Sequence, residues 1–257
     1  MLHAGAEIDG GNTVEASVRD PRQVGHVPGT GQVYVRYQEN PWPVPGTCWR
    51  DSGKDKEEFM PRRVVDFVNG AYYHIYNRGA GRRSLFIDEE NYRYVLNLIV
   101  KYLKPLQLTM IAYCLLPNHY HWLLRQDGDA KAGLLPQRVF NAYSKAFNNS
   151  HHRSGTLFED RYDAIVVTSD EYLHHLCRYI HANPVRHGIA LAPELWPYSN
   201  YLEWIDQRPG KIVDRDFIQA HFPAPWQYQA YVQAYLSGQA KLPAGLAAYL
   251  DELEREE

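Results

Sequence analysis

Residues 115–124 read LLPNHYHWLL, a pattern of two apolar strands joined by a tight turn. Pro117 and Asn118 supply the turn, and His119 and His121 open the second strand. Because side chains two residues apart in a strand project from the same face, we expect the two imidazoles side by side. Such a pair is half of a divalent-metal site, although two ordinary half-exposed strand histidines explain the pair alone equally well.

Apolar and aromatic periodicity around this hairpin predicts six elements in the order β-α-β-β-α-β. The strands are expected at residues 71–78, 108–116, 119–126 and 164–167, and the helices between Asp88 and Pro105 and over residues 134–148. This order is typical of the ferredoxin-like α+β fold, a four-stranded antiparallel sheet with two helices on one face. We expect the strand of the two histidines near the centre of the sheet and a ligand site on its open face.

A third helix is predicted over residues 171–183, capped by Ser169 or Asp170 and stopped by Pro184. Tyr179 and Asn183 are four residues apart on it and therefore share one face. The residues alone leave two interpretations open. Tyr179 is either a functional phenol or a core aromatic in a chain with 20 tyrosines, and Asn183 is either a ligand or a helix-ending residue.

Composition indicates a globular protein without membrane segments. A chain of 257 residues, 45% of them hydrophobic, can form one sizeable domain with extensions. No apolar run approaches ~18 residues and no signal-peptide pattern opens the sequence, so we expect neither a membrane helix nor export. Three cysteines without a CxxC pair favour a reducing, cytoplasmic setting, with Cys114 and Cys177 as core residues.

The net charge of −3 is unevenly distributed along the chain. Residues 60–200 contain 16 basic and 12 acidic side chains, a balance of +4, and nine of the 12 histidines. Residues 1–59 (6 basic, 9 acidic) and 201–257 (5 basic, 9 acidic) are both acidic. A mildly basic centre is compatible with a phosphate-bearing partner, and ordinary scatter of surface charge explains it equally well.

The sequence divides into three segments. Residues 1–59 are rich in glycine and proline without a sustained period, which predicts a poorly ordered extension and makes Met60 a candidate initiator. Residues 60–204 contain the predicted sheet and its helices. Residues 205–257 are expected to form a small helical extension, with one or two short helices between residues 214 and 236, and an acidic tail.

Several blocks of the sequence, taken in order, are similar to a known family. They are AYYHIYNRG at residues 71–79, AYCLLPNHYH at 112–121, GTLFEDRY at 155–162, YIHANPVRHG at 179–188 and WPYSNY at 196–201. This ordered set resembles the single-tyrosine HUH transposases of the smallest insertion sequences, and more closely their REP-associated tyrosine transposase branch. The resemblance extends from about residue 60 to residue 222 and leaves residues 1–59 outside.

The resemblance implies that His119 and His121 bind a metal, that Asn183 is a further metal contact and that Tyr179 is the nucleophile. Ligands of mixed nitrogen and oxygen type favour Mg²⁺ or Mn²⁺. The implied function is metal-dependent cleavage and rejoining of single-stranded DNA at hairpin-forming, REP-like repeats through a 5′-phosphotyrosine, a DNA transposition and recombination activity. Tyr120 fills the position between the histidines, where the family has a bulky hydrophobic residue.

Other side chains are candidates for contacts to DNA. Cations and amides near the histidine edge of the predicted sheet and after the third helix suit phosphate binding: Asn77, Arg78, Arg82, Arg83, Arg161, Arg186 and His187, with Arg62 and Arg63 before the first strand. Tyr72 and Tyr162, if exposed, suit stacking on unpaired bases. A solvated charge or a core aromatic explains each of them equally well.

Two other functions stay open at this stage. One is a non-catalytic protein that keeps the transposase fold to bind DNA or RNA hairpins. The other is an unrelated metal hydrolase built on the histidine pair, which requires further Asp, Glu or His ligands at fixed spacing. Tyr172 and Tyr143 are the alternative nucleophiles to Tyr179, and the oligomeric state, monomer or homodimer, is left open.

Overall fold

The computed structural model describes residues 65–240, 242 and 245–250. The predictions made for residues 1–59, for Met60, for Arg62 and Arg63 and for the acidic tail lie outside the described residues. The division of the chain into three segments therefore stays a prediction.

The described chain contains the six predicted elements followed by further helices. The strands are β1 (Tyr72–Arg78), β2 (Leu108–Leu115), β3 (His119–Gln126) and β4 (Asp163–Val167). The helices are α1 (Glu89–Leu103), α2 (Leu134–Ser150), α3 (Asp170–Arg186), α4 (Tyr201–Trp204), α5 (Arg215–His221) and α6 (Pro225–Leu236), with 3₁₀ turns at Ala80–Arg82 and Pro193–Leu195. Residues 245–250 are also helical. None of the helices in the described ranges has the length and apolarity to cross a membrane.

The four strands form one antiparallel sheet in the order β2-β3-β1-β4. In this order β1 and β3 occupy the centre, which is the arrangement of the ferredoxin-like fold, so the predicted fold class is confirmed. The strand that begins with His119 and His121 is an interior strand, as the ferredoxin-like order of the elements predicts.

The sheet is covered on both faces. Tyr73, Ile75 and Trp122 belong to the face packed against α1 and α2. Leu123 and Ile165 belong to the opposite face and pack with α3, α5, α6 and residues 245–250 in a second core. The expectation of an open second face was therefore wrong. That face carries buried apolar side chains at several positions, and burying them against α3 removes their surface from water.

Helix α3 begins as predicted and ends later than predicted. The Ser169 side chain accepts a hydrogen bond from the backbone N–H of Tyr172, which satisfies one open donor of the first turn. Pro184 lies inside the helix rather than ending it, and the helix continues to Arg186. A proline in the last turn removes one backbone hydrogen bond, and the burial of α3 against the sheet outweighs that loss.

The segment after α3 returns along the outer edge of β2. The backbone N–H of Leu115 donates to the carbonyl of Tyr198 at 2.9 Å. The buried Asn200 side chain then makes two further bonds to β2, accepting from the N–H of Tyr113 at 2.8 Å and donating to the carbonyl of Ile111 at 2.9 Å. Its oxygen also accepts from His181 Nε2 on α3 at 2.8 Å, so one amide connects the sheet edge to the helix.

Replacing Asn200 with alanine should lower the free energy of unfolding by about 3 kcal/mol, because it leaves several buried donors and acceptors without partners. Urea denaturation followed by far-UV circular dichroism measures the change. The exposed Asn149 near the end of α2 provides a control, since Asn149→Ala should stay within about 0.5 kcal/mol of the wild type. An equal stability of the two variants would contradict the bridging role.

His181 makes stability depend on pH. Burial lowers the pKa of this imidazole from 6.5 to about 4, although its hydrogen bond to Asn200 acts in the opposite direction. A histidine with a lowered native pKa contributes its full stability above the unfolded pKa and loses it as the pH falls toward the native value.

We therefore expect the wild type to lose about 2.5 kcal/mol of stability through His181 between pH 8 and pH 4.5. Measuring the free energy of unfolding at the two pH values in the wild type and in His181→Phe isolates this contribution. The variant should show a correspondingly smaller drop. A drop of the same size in both proteins would assign the acid sensitivity to other groups.

Candidate active site

His119 and His121 lie at the start of β3 and project toward α3. In the register of the sheet they pair with Arg78 and Tyr76 of β1, whose side chains share their face. Both imidazoles are buried, with 3% and 1% of their surface exposed, and their ring centroids are 5.3 Å apart. Buried imidazoles side by side on a rigid interior strand are held more firmly than the half-exposed pair that was the alternative interpretation.

Hydrogen bonds occupy the Nδ1 side of both rings. His119 Nδ1 lies 2.8 Å from the Oδ1 atom of Asn118. An amide oxygen only accepts, so His119 carries its proton on Nδ1 and keeps the lone pair on Nε2. His121 Nδ1 lies 3.0 Å from Nε2 of His74, a buried residue of β1. In both rings Nε2 is the atom that remains for a ligand on the α3 side.

A stripe of α3 faces the histidine pair. The Tyr179 ring is 5.6 Å from the His121 ring, and the ring of His187 at the end of the helix is 5.1 Å from that of His119. Asn183 lies between them on the same face, because residues four apart in a helix are aligned. The sequence-predicted tyrosine and asparagine therefore meet the predicted histidines in one place.

The side-chain amide of Asn183 is fully buried and makes no hydrogen bond within the described part of the chain. A buried amide without partners is costly, and a native protein retains one where a ligand satisfies it. Two imidazole nitrogens and an amide oxygen are ligands that suit Mg²⁺ or Mn²⁺. The residues present thus fit a divalent ion bound between His119, His121 and Asn183.

The described residues do not support the unrelated metal hydrolase. Within residues 65–240, 242 and 245–250, no group of three or more His, Cys, Asp and Glu side chains is arranged to hold a metal. An all-protein hydrolase site needs such a set of ligands. The amide of Asn183 is therefore essential to the metal interpretation.

A cavity of about 250 Å³ adjoins the histidine pair at the edge of the sheet. Three of the predicted DNA contacts, Asn77, Arg78 and Arg161, line it, and so does Asp163 of β4. Arg78 forms an ion pair with Glu159 at 2.9 Å, so its charge is already compensated inside the cavity. The lining contains two guanidinium groups and three carboxylates, those of Glu159, Asp160 and Asp163, so the cavity suits a polar ligand that both donates and accepts hydrogen bonds.

Of the remaining predicted contacts, His187 lies beside His119, whereas the arginines among the described residues lie elsewhere. Arg82 and Arg83 are exposed in the turn after β1. Arg186 stacks on the ring of Tyr235 at 5.0 Å and donates a hydrogen bond to its hydroxyl, so it is held against α6 rather than at the cavity. These arginines do not share one site with the histidine pair.

The aromatic candidates are less available than predicted. Tyr72 and Tyr162 are half-buried rather than exposed. Tyr143, one alternative nucleophile, lies in the core on the other face of the sheet and donates a hydrogen bond to the carbonyl of Leu85. Its position separates it from the histidine pair. Tyr172 lies on α3, two turns before Tyr179.

Two residues of the site were missed by sequence analysis. His74 contacts His121, and its Nδ1 lies 2.9 Å from the hydroxyl of Tyr249 in the helix at residues 245–250. The period of two in β1, which aligns His74 with Tyr76, was a usable signal for the first. Tyr249 offered none, because it is 175 residues away from His74 in the chain.

Tyr249 closes the site on the side of β1. Burial and the neighbouring phenols of Tyr172, Tyr76 and Tyr179 raise its pKa well above the ordinary value of 10.0. Tyr179 itself has no exposed surface. The described arrangement therefore keeps the phenol of Tyr179 out of contact with solvent.

The chain is similar to a transposase family. Residues 67–183 match the family model described as Transposase IS200 like. A Haemophilus influenzae protein, described provisionally as a REP-associated tyrosine transposase, is 27% identical over 106 residues, which cover 35% of this chain and 57% of that protein. The match thus spans little more than half of the relative's length. The resemblance read from the sequence blocks is confirmed by these matches.

Two solved structures are similar to this chain. A REP-associated tyrosine transposase bound to a REP hairpin has a TM-score of 0.49 and 19% identity, covering 60% of this chain and 94% of that one. A transposase from Deinococcus radiodurans, also described provisionally, has a TM-score of 0.33 and 17% identity, covering 47% of this chain and 93% of that one. At 19% and 17% identity, neither structure assigns a role to an individual residue of this chain, so those roles have to be inferred from contacts within the chain.

We expect the site to bind Mn²⁺ through His119, His121 and Asn183. In isothermal titration of the metal-free protein, the double variant His119→Ala/His121→Ala should weaken binding at least ~100-fold, and Asn183→Ala about 10-fold, because each change removes a ligand atom.

A second pair of adjacent imidazoles serves as the control. His174 Nε2 and His221 Nδ1 are 2.7 Å apart outside the site, and replacing both with alanine should leave Mn²⁺ affinity unchanged. Loss of binding in this control with retention in the His119/His121 variant would place the ion elsewhere.

Proposed function

We propose that this chain, whose residues 67–183 match the IS200-like transposases, cleaves and rejoins single-stranded DNA through Tyr179. The observation that carries the proposal is the convergence of two elements distant in sequence. The stripe of α3 with Tyr179 and Asn183 lies directly against the two histidines of β3, with 5.6 Å between the rings of Tyr179 and His121. Packing of α3 against the sheet does not by itself require that a phenol and an amide of the helix meet two imidazoles of β3.

The phenol of Tyr179 would attack the phosphorus of a DNA phosphodiester. The bond from phosphorus to the 3′ oxygen breaks while the bond from phosphorus to the tyrosine oxygen forms, giving a 5′-phosphotyrosine and a free 3′ end. Over the step, one proton passes from the phenol to the departing 3′ oxygen. A 3′-hydroxyl from the same or another DNA end reverses the reaction, so the bond energy is kept and no nucleotide cofactor is needed.

His119, His121 and Asn183 would hold a divalent ion, Mg²⁺ or Mn²⁺, which neutralises the phosphate charge and stabilises the charge that develops in the transition state. The protein's own part is to fix these side chains on an interior strand and a buried helix. Asn118 supports the metal-binding tautomer of His119 through the bond at Nδ1.

The cavity beside the histidine pair would receive the DNA next to the cleaved phosphate. Asn77, Arg78 and Arg161 supply donors for phosphate oxygens there. A hairpin-forming, REP-like repeat is the proposed target because the sequence blocks and the Haemophilus influenzae relative point to the REP-associated branch.

One observation favours a second function, a non-catalytic hairpin-binding protein. Tyr179 is fully buried, and a nucleophile has to reach its substrate. If the burial is permanent, the fold serves only to bind. Catalysis requires a rearrangement that exposes the phenol of Tyr179.

The test is formation of a covalent adduct. Protein incubated with hairpin-bearing single-stranded DNA and Mn²⁺ should give a slow band on a denaturing gel, and Tyr179→Phe should reduce it at least ~100-fold because the attacking oxygen is gone. His119→Ala/His121→Ala should abolish the band as well.

Tyr201→Phe is the matched control, since it removes a hydroxyl from a buried tyrosine of α4. It should retain the adduct. A band that survives Tyr179→Phe and disappears in Tyr172→Phe would transfer the nucleophile to Tyr172. Tight hairpin binding without an adduct under any condition would favour the binding protein.

A further inference from the structure

A hydrogen-bonded chain of three side chains leads away from the histidine pair. His121 Nδ1 lies 3.0 Å from His74 Nε2, and His74 Nδ1 lies 2.9 Å from the Tyr249 hydroxyl. All three residues are buried, with no more than 1% of their surface exposed. Contacts of this length between buried rings fix the orientation of each imidazole and couple the tautomer of His74 to that of His121.

The direction of the bonds follows from the role of His121. A neutral imidazole that offers Nε2 to a metal carries its proton on Nδ1 and donates it. His74 Nε2 therefore accepts from His121, and the remaining proton of His74 lies on Nδ1, from which it is donated to the Tyr249 oxygen. The reversed chain would place a proton on His121 Nε2, where it would block the metal.

We propose that His74 is a positioning residue for the metal site: it accepts the Nδ1 proton of His121 and so keeps the Nε2 lone pair directed at the ion. This inference rests on the proposed function, because it assigns His121 as a ligand. Tyr249 would support His74 in turn.

The ring contacts agree with a positioning role. The His74 ring stacks on His121 with centroids 5.2 Å apart at an angle of 20°, and on Tyr76 at 5.0 Å and 30°. His74 is thus restrained from two sides, and its nitrogen cannot turn away from His121 without leaving this stack. Asn118 does the same for His119 from the turn before the strand.

His74→Phe removes the accepting nitrogen and keeps an aromatic ring in the stack. Mn²⁺ affinity, measured by titration of the metal-free protein, should fall ~10- to 100-fold, the range typical for loss of a partner that orients a ligand. His74→Gln restores a side-chain acceptor and should recover most of the affinity.

His181→Phe is the matched control. His181 is likewise fully buried and bonded at both ring nitrogens, at 2.5 Å to Tyr228 and 2.8 Å to Asn200, but it belongs to the contact between α3 and the return segment. It should keep wild-type Mn²⁺ affinity. Equal loss in both phenylalanine variants would assign the effect to general destabilisation and overturn the proposal.

The tautomer of His121 gives a second, metal-free readout. In the ¹⁵N spectrum of histidine-labelled wild type, the signal that disappears in His121→Ala should show a protonated Nδ1, and in His74→Phe it should shift toward protonation at Nε2. A wild-type His121 protonated at Nε2 overturns the proposal, including in the case that His74→Phe does not fold.

The experiments distinguish failure of the positioning role of His74 from failure of the metal site at His119 and His121. If the wild type binds Mn²⁺ through His119 and His121 and a folded His74→Phe binds it equally well, the positioning role is wrong and the proposed function stands. If no Mn²⁺ binding depends on His119 and His121, the metal site of the proposed function is wrong, and the positioning role is wrong with it.

Discussion

The packing of α3 on the second face of the sheet is the constraint on which the candidate site depends. Apolar residues of that face, among them Leu123 and Ile165, must be covered, and α3 covers them. Eight residues of helix span about 12 Å, so the stretch from Tyr179 to His187 brackets the two imidazoles of β3. Asn183 is placed opposite them as a result of the same packing. The packing of α3 on the sheet therefore forms both the second hydrophobic core and the polar site.

Burial gives the site its chemical character. Burial disfavours the charged form of a phenol, and an amide carries no charge. The pKa of Tyr249 is raised above its ordinary value mainly because this residue is buried. A divalent ion is the natural counterpart of such neutral donors, because it supplies the charge that the protein side chains lack.

Much of the fold and part of the site could be predicted from local patterns. The period of two placed His119 and His121 on one face, and the helical spacing aligned Tyr179 with Asn183. Both patterns depend only on neighbours in the chain. The contact between His74 and His121 depends on the register of β1 against β3, which pairs Tyr76 with His121, and a single strand's sequence does not set that register.

The errors have equally physical causes. Pro184 predicts the end of the helix because a proline disfavours a helix locally, whereas the burial of α3 against the sheet keeps residues 184–186 helical. Arg186 was grouped with the DNA contacts by its charge, and it instead stacks on an aromatic ring of α6. Tyr249 closes the site from a segment that no local pattern connects to the first strand. Tyr249 lies 175 residues from His74 in the chain. A contact across so long a loop is maintained by the burial of Leu246, Tyr249 and Leu250 in the second core, because that burial has to offset the entropy of closing the loop.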